Sequence, residues 1–122
     1  MRMSDDQYFR SCVAQERHLA HLLGCHEIEE DYESAGVLFN HGRALPQWTR
    51  DWSACGPLIA RYRLAVVFVE EDEAHPGGCV RVNGTSVRVA DHPSTEHALR
   101  FAVVKAVIYL LEHPGKATPG AG

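Results

Sequence analysis

The chain has 122 residues, 45% of them hydrophobic and 23% charged, and its formal net charge at pH 7 is −4. This size and composition are those of one ordinary globular domain that can bury a core of its own. The negative balance argues against duplex nucleic acid as the main partner, because phosphate binding needs a basic surface.

The N-terminal residues and the cysteines favour a cytoplasmic protein. Met1 to Asp6 contain no apolar segment of the kind found in a signal peptide. The four cysteines are widely spaced and form no C-x-x-C pair, so free thiols in a reducing compartment are expected. They are Cys12, Cys25, Cys55 and Cys79.

The first predicted element is a helix from Ser4 to Leu23. Ser4 suits the N-cap, and two aspartates follow it in the first turn, where the helix dipole favours negative charge. At helical spacing one face is apolar. That face contains Phe9, Cys12, Val13, Leu19, Ala20 and Leu23.

Two weaker segments follow this helix. The acidic residues between Glu27 and Glu33 show little periodicity, which predicts a solvated loop. Val37–Phe39 is a short apolar run that predicts an edge strand. Residues 45–56 are expected to be irregular, and Pro57 suits the first position of a short helix, Pro57–Arg63.

The strongest strand pattern runs from Leu64 to Val69. Both of its faces are apolar, so the strand is predicted to be central or covered on both sides. Farther on, Asn83-Gly84 separates two alternating segments, which predicts a two-residue hairpin. A register that places Val80 opposite Val87 gathers the valines of the hairpin on one face and its arginines on the other.

The most apolar stretch predicts a long C-terminal helix, Ser94 to Glu112. Between Ala98 and Leu111 its charged residues are Arg100 and Lys105, which lie on different sides of the helix. The run is short for a membrane span and contains these two charges, so no membrane contact is predicted. The helix must be covered on most sides by its own domain or by a partner chain.

Together these elements predict one α+β domain over residues 1–113, with a flexible tail over residues 114–122. Its fold is expected to be a two-layer arrangement. A three-stranded antiparallel meander packs against the long C-terminal helix, and the N-terminal helix lies beside that helix.

The segment around the two tryptophans is the predicted ligand or partner surface, made of Trp48, Trp52, Cys55, Gly56 and Pro57. Tryptophan in an irregular segment is either buried or used for binding, and it is enriched at interaction hot spots. The alternative is that both indoles close the end of the sheet.

Two other chemical interpretations stay open. Cys55, just before Gly56-Pro57, would be activated as a nucleophile if it lay at a helix N-terminus near a histidine, whereas a packing role fits the usual burial of cysteine. Zinc would need ligands such as His18, His21 and Cys25 or His26, and the alternative is a solvated helix face.

Several residues resemble a known family in their order. They are Leu22-Leu23-Gly24, Phe39-Asn40, Trp52-Ser53-Ala54-Cys55-Gly56-Pro57-Leu58-Ile59 with Arg61, and His92-Pro93 before an Ala/Val-rich helix. This order is similar to that of the phage NinX-like family of small proteins from bacteriophages and prophages. Cys55 stands where that family has the first glycine of its Gly-Gly-Pro-Leu-Ile segment. The resemblance implies a small cytoplasmic protein and carries over no catalytic residues.

The sequence as a whole favours a non-enzymatic protein-interaction module without a cofactor, since no catalytic constellation is present. A homodimer is one arrangement that would cover the apolar C-terminal helix. The alternatives are a small ligand-binding domain or enzyme with a pocket near Trp52 and Cys55, and a zinc protein that uses the histidines.

Overall fold

The structure is a computed structural model that describes residues 4–31 and 36–114, with Asp31 described by its backbone alone. In these ranges the helices are α1 (Asp5–Leu22), α2 (Trp52–Arg61) and α3 (Thr95–Glu112). The strands are β1 (Ile28–Asp31), β2 (Val37–Asn40), β3 (Arg43–Ala44), β4 (Val66–Val69), β5 (Cys79–Val82) and β6 (Thr85–Arg88). The predicted α+β class is confirmed. Residues 115–122 of the predicted tail lie outside the described part.

The helix predicted at the N-terminus is confirmed as α1, and Ser4 caps it. The Ser4 Oγ accepts a hydrogen bond from the Gln7 amide at 3.2 Å, and the Gln7 side chain accepts one from the Ser4 amide at 3.1 Å. This reciprocal pair satisfies two amides that a helix start leaves unpaired. The buried side of α1 contains Cys12, Val13, Glu16, Leu19 and Ala20.

Strands β4, β5 and β6 form the C-terminal sheet, in that order and antiparallel. The predicted hairpin is confirmed, with Val80 opposite Val87 and Val82 opposite Thr85. Asn83 and Gly84 both have positive φ, 49° and 88°, as the type I′ turn requires. The hairpin therefore presents buried valines to the helix layer.

The predicted position of β4 is wrong, although the strand itself is present. Within the described residues β4 pairs with β5 alone, so it is an edge strand. Val67 and Phe68 are 49% and 57% exposed, so neither face of β4 is fully covered. The apolar run of β4 predicted two covered faces. The sequence of a single strand does not show whether a helix packs over that strand.

The predicted C-terminal helix is confirmed as α3, with Ser94 as its N-cap. It packs against α1, α2, β5 and β6, so its cover comes from the same chain. A partner chain was predicted on this helix because its apolar surface needed cover, and the chain itself supplies that cover. The α3 residues in the core are Ala98, Ala102, Val103, Val104, Ala106, Val107 and Ile108.

A second sheet, β1-β2-β3, was not predicted as such. The acidic segment forms β1 where a loop was expected, because its backbone pairs with β2. The predicted edge strand is wrong in position, since β2 is the middle strand of this sheet and pairs with both neighbours. Leu38 of β2 is buried and Glu29 of β1 is exposed. Backbone pairing thus overrides the low strand propensity of the glutamates.

Candidate functional site

The tryptophan segment folds differently from its prediction. The helix α2 begins at Trp52, five residues before the expected start, because Asp51 caps it and accepts a hydrogen bond from the Ser53 amide at 3.0 Å. Pro57 therefore lies inside the helix and not at its first position. Proline has no amide hydrogen, so the Ser53 carbonyl, four residues earlier, lacks its helical partner. Pro57 is exposed, so this carbonyl lies on a side of the helix that water can reach.

The five residues of the predicted surface are divided between core and surface. Trp48 and Cys55 are buried in the hydrophobic core, and Gly56 is partly buried. Trp52 and Pro57 are exposed, Trp52 by 38%. The part of the predicted surface that a partner can reach is therefore the outer side of α2.

Cys55 does not have the environment of a nucleophile. It lies inside α2 and not at its N-terminus, and its thiol is fully buried. Burial raises the pKa of Cys55 to about 11, against a smaller opposite effect from the positive charge of Arg100. The thiol contacts the backbone carbonyl of Arg100 at 4.0 Å. At neutral pH it is protonated and packs as an apolar side chain.

A buried carboxylate organises the loop before α2. Glu16 of α1 is 1% exposed and accepts hydrogen bonds from the Thr49 amide at 3.2 Å and from the Thr49 hydroxyl. Both of its oxygens also accept from the guanidinium of Arg50, which is the planar two-point pairing that arginine and carboxylate favour. The Arg50 side chain also donates to the Gly36 carbonyl at 3.2 Å. Glu16 thereby fixes the segment that carries both tryptophans.

Arg100 connects this network to the surface. Its Nε donates to the Thr49 carbonyl at 3.1 Å, and its guanidinium lies 5.0 Å from the centre of the Trp52 ring. Arg100 is 7% exposed, whereas Lys105 on another side of α3 is exposed. Trp52 therefore stacks on a buried cation, which orients its indole at the surface.

Sequence reasoning missed Glu16, although the signal was present. Its position falls between Cys12 and Leu19 on the apolar face of the predicted helix. A charged residue on a core-facing stripe requires a partner of opposite charge or several hydrogen bonds. The sequence did not identify that partner, because Arg50 is 34 residues away along the chain.

The proposed zinc ligands are brought together only in part. His18 pairs with Glu112 at 3.0 Å, and the Nδ1 atoms of His21 and His26 lie 3.3 Å apart. Across residues 4–31 and 36–114, no three histidine, cysteine, aspartate or glutamate side chains form a group that could hold a metal ion. The geometry therefore gives no support to a zinc site with three protein ligands.

The two most exposed large apolar side chains of the described residues lie on β4, outside the predicted site. Phe68 shares a face with Val80, which is fully buried beneath α3, yet Phe68 itself is 57% exposed. The reason is that α3 packs over β5 and β6 and leaves β4 mostly uncovered. Val67 is exposed on the opposite face of the same strand.

Comparisons with protein-family models, with curated proteins and with solved structures find no match to this chain. The resemblance to the phage NinX-like family therefore stays a prediction. Among the helices of the described ranges, none is both long and apolar enough to cross a membrane.

Proposed function

We propose that this chain is a non-enzymatic cytoplasmic protein-interaction module, of prophage origin, and that it associates with a second copy of itself through β4. The observation that carries the proposal is the exposure of Phe68 on the core-facing side of an edge strand. An exposed apolar edge strand is a surface that proteins otherwise shorten, charge or cover. Trp52 and Pro57 are proposed as a second contact surface for another protein.

The backbone of β4 supports pairing with another strand. The Asn83 amide donates to the Ala65 carbonyl at 3.0 Å at the end of the β4–β5 ladder. Because ladder bonds alternate along an antiparallel strand, Val67 and Val69 bond to β5, while Val66 and Phe68 direct their amides and carbonyls to the open edge. Among the described strands none pairs with this edge, so these groups can bond to an added strand.

The charges at the two ends of β4 favour a second copy in antiparallel orientation. Arg61 and Arg63 precede the strand, and Glu70 and Glu73 follow the strand. Among the described residues, none of these four side chains forms an ion pair. Antiparallel pairing of two identical strands sets the basic end of each against the acidic end of the other, which makes the edge self-complementary.

One register satisfies the backbone pattern. With the two-fold axis at Val67, Val66 of each copy faces Phe68 of the other, and the basic turn before each strand lies toward the acidic segment after the other. Burial of a half-exposed valine or phenylalanine contributes roughly 1 kcal/mol each, and the strand edge is short. A weak dimer is therefore expected, with a dissociation constant of about 1–100 µM.

Sedimentation velocity over a concentration series tests the proposal. The wild-type chain is expected to shift from monomer to dimer between about 1 and 500 µM, the range set by that affinity. A chain that stays monomeric at the highest concentration would contradict self-association.

A pair of charge variants tests the orientation. Arg61→Glu with Arg63→Glu gives a copy with two acidic ends, and Glu70→Lys, Glu71→Lys and Glu73→Lys together give a copy with two basic ends, since Asp72 alone of the acidic run then remains. Each alone is expected to dimerise at least about ten-fold more weakly, because like charges then face each other, while a mixture regains the wild-type affinity. Equal self-association of both variants and the wild type would show that these charges do not contribute to the dimer.

A further inference from the structure

Two histidines meet at the C-terminal end of α1. His21 lies in the last turn of the helix, and His26 follows it five residues later in the chain. Their Nδ1 atoms are 3.3 Å apart, and their rings meet edge to face with centres 4.7 Å apart. Both side chains are exposed, and neither belongs to the β4 surface or to the tryptophan segment. The pair is therefore independent of the proposed self-association.

The backbone at the end of α1 positions the two histidines. The Cys25 amide donates to the Ala20 carbonyl and the Gly24 amide donates to the His21 carbonyl, each at 3.0 Å. These two bonds form a Schellman motif, which requires a left-handed residue just after the helix cap. Gly24 supplies that conformation, with a φ of 103°. The motif reverses the direction of the chain, so His26 returns beside His21.

The separation of the two nitrogens matches that of two zinc ligands. Imidazole nitrogens lie about 2.0–2.1 Å from zinc, so two corners of a tetrahedral site are roughly 3.3–3.4 Å apart. The Nδ1–Nδ1 distance of 3.3 Å fits this spacing. It is long for a hydrogen bond from an N–H group, whose usual range is about 2.7–3.2 Å. His21 also lies at the negative end of the α1 dipole, which favours a bound cation.

We infer that His21 and His26 bind one Zn²⁺ ion through their Nδ1 atoms, with water in the remaining positions. Water can reach the ion because both side chains are exposed. Each Nδ1 must then carry a lone pair, so the ring that donates its Nδ1 proton in the present hydrogen bond carries that proton on Nε2 instead. His18 stays outside the site, since its Nε2 pairs with Glu112 at 3.0 Å. The site thus differs from the three-ligand zinc site expected from the sequence.

Calorimetric titration of the full-length chain with Zn²⁺ tests the inference. One ion per chain is expected, with a dissociation constant of about 10–300 µM, far weaker than that of a site with four protein ligands. Heteronuclear NMR of the imidazole rings is expected to show both histidines with the proton on Nε2 and the metal on Nδ1. Mg²⁺, which prefers oxygen ligands, is expected to leave both rings unchanged. Absence of Zn²⁺ binding, or coordination through Nε2, would overturn the inference.

Single substitutions locate the two ligands. His21→Gln and His26→Gln are each expected to weaken Zn²⁺ binding about ten-fold or more, because one imidazole remains and the chelate is lost. Both side chains are exposed, so the fold should persist. His18→Gln, the matched change one turn earlier on α1, and Cys25→Ala are expected to bind Zn²⁺ as the wild type does. Loss of binding in either control would contradict a site of two histidines, as would unchanged binding in His21→Gln or His26→Gln.

Discussion

Replacement of Glu16 by alanine is expected to lower the free energy of unfolding by about 3–5 kcal/mol, the usual cost of breaking a buried charge pair. The change leaves the Arg50 guanidinium without its carboxylate partner. Because the Arg50 side chain is only 18% exposed, water cannot fully replace that partner. The change also removes the acceptor for the amide and hydroxyl of Thr49, which is buried. Urea unfolding followed by tryptophan fluorescence measures the loss, with an unchanged slope if the unfolded state is unaffected.

Arg10→Ala is the matched control for this change. Arg10 belongs to an ion pair on the same helix, with Asp6 at 3.0 Å, but both side chains are more than 70% exposed. Solvent screening makes such a pair worth little, so a loss within about 0.5 kcal/mol is expected. Equal losses for Glu16→Ala and Arg10→Ala would show that the buried network does not hold the tryptophan segment in place.

Phe68→Glu is expected to weaken self-association at least about 100-fold, since it removes apolar burial and places two carboxylates in the interface. The monomer should keep its stability within about 1 kcal/mol, because Phe68 is 57% exposed and makes little core contact. Sedimentation velocity measures the association, and circular dichroism during urea unfolding measures the fold.

Tyr109→Glu distinguishes β4 from the C-terminal helix as the contact surface. Tyr109 is a 46% exposed aromatic residue on α3, the helix that the sequence favoured for partner contact. This variant is expected to dimerise as the wild type does. If Tyr109→Glu lost self-association and Phe68→Glu kept it, the interface would lie on α3 and not on β4.

Elements defined by local signals were predictable from the sequence. The N-cap at Ser4, the Asn83-Gly84 turn and the apolar run of α3 each specify their element within a few residues of chain, and the structure confirms all three. The N-terminal sheet was not predictable in this way. Its strand β1 is defined by hydrogen bonds to β2, and its own residues are mostly acidic.

The candidate sites were harder to predict because they depend on neighbours distant in the chain. Trp52 and Pro57 of the predicted surface are exposed, whereas the burial of Trp48 and Cys55 follows from packing that the sequence does not specify. The exposure of Phe68 depends on which strands α3 covers.

Amide hydrogen exchange at Val66 and Phe68 tests the pairing of β4 with β4 most directly. These amides point to the open edge in the monomer, so they should exchange rapidly at low protein concentration and slowly where the dimer predominates. The Val67 and Val69 amides, already bonded to β5, should be protected at both concentrations. Samples labelled at each concentration and then quenched can be read by NMR. Rapid exchange of the Val66 and Phe68 amides in a sample that is dimeric by sedimentation would contradict the account.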